Sequence, residues 1–81
     1  MSFKTIYTEN LQRLSEADNL EIGGITEDGE NLGEDGGDDV AYFCVFAHIP
    51  GEGIIDLLDV DTYVEAVEWR DAIVAIAPNL Q

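Results

Sequence analysis

Basic residues are nearly missing from this chain. Lys and Arg together number 3 in 81 residues, against 18 Asp and Glu, which leaves a formal net charge of -15 and a pI near 4.1. A chain so negative is repelled by nucleic acid and by anionic membranes, so direct binding to either is excluded. Cysteine is almost absent too. The lone Cys44 excludes an internal disulfide framework and any multi-cysteine metal or iron–sulfur site. His48 is the single histidine, so few groups could act as a base near neutral pH. No apolar run approaches the ~20 residues of a membrane-spanning helix. Met1-Ser2-Phe3-Lys4 lacks the apolar stretch of a signal peptide, and the expectation is a soluble, cytoplasmic protein.

What is present suffices for a fold. Hydrophobic residues make up 46% of the chain, well above disordered compositions, and the length allows one domain spanning 1–81. Phe3, Ile6, Tyr7, Leu11 and Leu14 recur at helical spacing and predict a helix over about 2–17, capped by Ser2. A short strand over Phe3–Tyr7 is the rival, disfavoured by poor alternation. Leu20, Ile22 and Ile25 predict a short strand. The glycine-rich segment 27–39 (EDGENLGEDGGDD) reads as a long acidic loop. Val40–Ile49 (VAYFCVFAHI) reads as a strand with Tyr42, Cys44, Phe46 and His48 on one face. Its other face is apolar as well, so it should be central and covered, at least in part, on both sides. Pro50-Gly51 suits a type II turn into a partner strand at Gly53–Val60. Thr62 to Glu65 fits a capping box that opens a helix running to about Ala77, stopped by Pro78. Its packed face combines Tyr63, Ala66, Val67, Ile73 and Val74. The expected class is α+β: a small antiparallel three-stranded sheet flanked by an N-terminal and a C-terminal helix, in the order α-β-β-β-α.

The acids then acquire an arrangement. Asp61, Glu65, Glu68 and Asp71 line one side of the second helix. The loop adds Glu27, Asp28, Glu30, Glu34, Asp35, Asp38 and Asp39, and the hairpin adds Glu52, Asp56 and Asp59. Lys4 and Arg13 fall in the first helix, which leaves Arg70 alone in the C-terminal half. Mixed surfaces relieve repulsion by interspersing both signs, and this one does not. The residues expected to bind a partner are Asp28, Glu30, Glu34, Asp35, Asp38 and Asp39 of the loop, and Asp61, Glu65, Glu68 and Asp71 of the helix. Trp69, beside the helix row, is the candidate aromatic anchor.

Other chemistries fit less well. In an EF-hand register from Asp28, Leu32 occupies a ligand position and Asp35 the usual apolar one, so no metal is assigned. His48 and Cys44 read as packed strand residues, and no cofactor or catalytic residue is expected. Tyr42, Phe46 and His48 also suit a homodimer face.

In size, acidity and expected small mixed fold, the whole chain resembles phage-encoded anti-CRISPR and anti-restriction DNA mimics, although no motif carries over. That resemblance implies an inhibitor encoded by a phage or mobile element in a bacterial or archaeal host. Its carboxylates would stand in for phosphates on the basic surface of a nucleic-acid-binding protein or effector complex. Two alternatives are adaptation to high internal salt and an acidic immunity or antitoxin-type protein.

Overall fold

The computed structural model describes residues 3–33 and 39–81. The long strands form as the sequence indicates. They are β2 (Asn19–Ile25), β3 (Tyr42–Ile49) and β4 (Gly53–Val60), with β3 in the middle. The β3–β4 turn closes by Glu52 N–H donating to the Ile49 carbonyl at 3.0 Å. Gly51 takes φ of 86° there, the value a type II turn demands and a side chain resists. Helix α2 (Tyr63–Ile76) begins where expected: Thr62 Oγ1 accepts from Glu65 N–H at 3.2 Å and donates to Glu65 Oε1 at 2.9 Å. It ends before Pro78, as a helix must when the next backbone donor is missing.

The N-terminus differs from expectation. Instead of a helix over 2–17 there is a strand β1 (Thr5–Ile6), a single helical turn α1 (Thr8–Leu11) and a 3-10 turn at Leu14–Glu16. The sheet therefore has four strands among the described residues, in the order β1-β4-β3-β2, all antiparallel. The cause is the open edge of β4. Lys4 N–H donates to the Asp59 carbonyl at 2.7 Å and Tyr7 N–H to the Leu57 carbonyl at 2.9 Å. Pairing that edge satisfies backbone groups that a helix would have left exposed. Ile6, Leu11 and Leu14 still pack on the core, so their apolar spacing reported burial correctly and conformation wrongly. Asn79 Nδ2 donates to the Leu14 and Ala17 carbonyls at 2.9 and 2.8 Å, tying the chain end to this segment.

One irregularity shapes the whole sheet. Val45 pairs with Leu58 and Phe46 with Asp56, so Leu57 is an extra residue in β4. This β-bulge breaks the alternation. Leu57 and Leu58 both enter the core under α2, with Val45, Ala47, Val60, Ala66 and Ile73. Asp56 and Asp59 consequently share the opposite face. That face carries a second, smaller core of Ile25, Cys44 and Phe46, with Tyr42 packed against it.

Candidate functional site

The second face of the sheet is chemically mixed. Asp59 is only 7% exposed, the one charged residue buried among the described residues. Its carboxylate accepts from the Tyr7 hydroxyl at 2.8 Å, a bond that only the strand pairing of β1 makes available. Asp56 stands on the same face. Its backbone carbonyl accepts from Asn10 Nδ2 at 2.8 Å, while its carboxylate has no partner among the described residues. A cavity of about 230 Å³ opens here, and Tyr42, Cys44, Phe46, Ile54, Asp56 and Asp59 are among the residues that line it. Gly23 lets Asn31 and Phe46, two of the lining residues, pack closely over β2. A Cβ there would meet Asn31 Oδ1 at 2.6 Å and Phe46 Cε2 at 2.7 Å, closer than atoms can approach.

Burial and like charge dominate the electrostatics. Burial, reinforced by Asp59, raises the pKa of Asp56. The hydrogen bond to Asp59 pushes Tyr7 far above the ordinary tyrosine range, with burial adding to it. Burial, reinforced by Asp56 and Asp59, pushes the Cys44 thiol far up as well. Its Sγ lies 3.6 Å from the Val45 carbonyl. A thiol so firmly neutral is no nucleophile. Tyr42 is raised by burial first and by the Asp59 charge second. These groups favour the positive form of anything that enters the cavity.

The residues expected from the sequence are distributed elsewhere. Glu68 and Asp71 are exposed along α2, whereas Asp61 precedes the Thr62 cap and is exposed just outside the helix it was expected to line; Glu65 is partly covered and also serves the helix cap. The row is less bare than its sequence suggests. Lys4, brought over by β1 and not by a helix, reaches Asp61 at 3.6 Å, and Arg70 reaches its neighbour Asp71 at 3.2 Å. Trp69 packs edge-to-face on Phe3 with ring centroids 6.0 Å apart. In the loop, Glu27, Asp28, Glu30 and Asp39 are exposed around an open depression. Glu34, Asp35 and Asp38 lie outside the described residues. The register puts the ends of β2 and β4 beside the start of β3, so this loop and Asp61 share one end of the sheet. At the other end, Arg13 pairs with Glu16 and Glu52, and His48 Nδ1 lies 2.6 Å from Asp18 Oδ1.

Sequence reasoning counted Asp56 and Asp59 as two more surface acids and did not associate them with Tyr7, Tyr42 or Cys44. One signal was available. In Ile-Ile-Asp-Leu-Leu-Asp-Val, strict alternation would bury one aspartate beneath the helix, and the Leu57-Leu58 doublet between them marks the bulge that prevents it. Among the described residues no group of three or more His, Cys, Asp or Glu is placed to hold a metal ion. No helix among them is long and apolar enough to cross a membrane. The chain matches no protein-family model, no curated protein and no solved structure.

Proposed function

We propose that this protein is an acidic nucleic-acid mimic, an inhibitor that occupies the basic surface of a nucleic-acid-processing protein, of the anti-restriction or anti-CRISPR kind. The observation that carries the reading is the placement of the charge. The acids of α2 and of the loop's described part stand mostly exposed, where a partner can reach them. Density supports it as well. The longest dimension is 34 Å and the net charge -15, while duplex DNA carries roughly 20 charges over that length. Inhibition is then occlusion: carboxylates pair with Lys and Arg, counterions leave the partner's groove, and nucleic acid is kept out.

The test is retention of partners on the immobilised protein at moderate salt, with and without competing duplex DNA. The expected result is a basic nucleic-acid enzyme or effector complex, displaced by DNA and lost as salt rises. A variant with Asp61, Glu68 and Asp71 changed to Lys should lose it while remaining folded; Glu65 is spared because it serves the helix cap. Retention indifferent to DNA overturns the reading. So does unfolding in dilute buffer with refolding in concentrated salt, which makes the charge a salt adaptation.

A further inference from the structure

The sheet face away from α2 carries a feature that diffuse acidity does not require. Surface acids suffice to attract a basic groove. Asp56 instead lines a cavity together with Tyr42, Phe46 and a second carboxylate, and its own carboxylate has no partner among the described residues. Ionised, it opposes folding, because its neutral form is the one the site favours. Asparagine would fill the same space at lower cost.

We propose that this cavity receives one arginine side chain from a basic segment of the partner, with Tyr42 and Phe46 against the guanidinium plane and Asp56 accepting its N–H groups. The proposal rests on the reading above, that the partner surface is basic. Three observations select this occupant. The cavity, about 230 Å³, is below the ~300 Å³ at which small-molecule sites usually begin, so it suits a side chain. Guanidinium is planar, weakly hydrated and able to stack on a ring while donating to a carboxylate, which an ammonium does less well. The chain's own Lys4 already stands 5.8 Å from the Tyr42 ring centroid, and its ammonium pairs with Asp61, not with Asp56. A second copy is the wrong occupant, since it would bring another net charge of -15 to a cavity already holding two carboxylates.

The probe is the peptide acetyl-Gly-Arg-Gly-amide, titrated into the full chain and followed by amide NMR shifts. The lysine and citrulline peptides are its controls; citrulline keeps the shape and removes the charge. Localised shifts are expected over Tyr42–Phe46 and Ile54–Asp59, weaker with lysine and absent with citrulline. Asp56→Asn should weaken binding about tenfold or more, the loss of a charge-assisted hydrogen bond, while folding at least as stably as the parent. Glu68→Gln should leave the shifts unchanged. The proposal is overturned by shifts spread evenly over the acidic surface, by no shifts at all, by equal citrulline binding, or by unchanged affinity in Asp56→Asn. It is also overturned if light scattering shows a dimer that buries these same amides. The two readings fail separately. Peptide binding to the cavity with no DNA competition for the partner sinks only the mimicry. DNA competition with a silent cavity sinks only the arginine site.

Discussion

The two faces of the sheet have been built from the same strands to opposite ends. Under α2, Leu57, Val45 and Val60 are fully enclosed in an apolar cluster. On the other side Cys44 and Phe46 are also buried, but beside Asp56, Asp59 and Tyr42. A sheet needs one dry face to be stable, and burial of apolar area supplies that. The second face is then free to hold groups that cost stability. The contrast separates the face that keeps this protein folded from the face that carries charge at a cost to stability.

The sharpest way to break the comparison is to damage the dry face. Leu57→Ala removes a fully buried side chain and should cost about 2–5 kcal/mol, read as a lower denaturant midpoint. A loss under 1 kcal/mol would mean the bulge does not fix Leu57 in the core. Next comes the mixed face. Gly23→Ala should cost about 1–3 kcal/mol, because Asn31 and the Phe46 ring must give way. Tyr7→Phe removes the donor to a buried carboxylate and should cost about 1–3 kcal/mol.

Titration sharpens the same contrast. Tyr7, Tyr42 and Cys44 all have raised pKa values in the fold, so their stabilising contribution is complete below their ordinary values, 10.0 for tyrosine and 9.0 for cysteine. It is lost as pH rises beyond them, since the unfolded chain ionises first. Thermal stability should accordingly decline above about pH 9, less steeply in Cys44→Ala. Asp56 acts in the opposite region. Its raised pKa makes it destabilising once ionised, so Asp56→Asn should be neutral or stabilising by less than about 1 kcal/mol at pH 7. The smallest effect belongs to the helix row: Glu68→Gln should alter stability by no more than about 0.5 kcal/mol. A large loss there would give the row a structural role that its exposure denies.

Legibility followed the range of the interactions. The hairpin from β3 to β4 could be read because its determinants are neighbours: Pro50-Gly51 sets the turn, and β-branched and aromatic residues set the strands. Helix α2 was equally plain from Thr62, Glu65 and Pro78. The helix expected over about 2–17 does not form, because helical spacing and a strand-plus-turn can bury the same side chains. An unpaired edge of β4, some 50 positions away in the chain, decided between them. The Asp56–Asp59 site was hidden for a related reason. It needs the bulge, the β1 pairing and the packing of Asn31 at once, and none of these is local.

By itself, then, the sequence determined the charge, the class of fold and the central strands, since composition, turn chemistry and period act over a few residues. Tertiary structure alone decided which face each acid occupies, that Lys4 meets Asp61, and that Tyr7 shields Asp59. Those outcomes depend on register, where a single extra residue in one strand turns every later side chain to the other face.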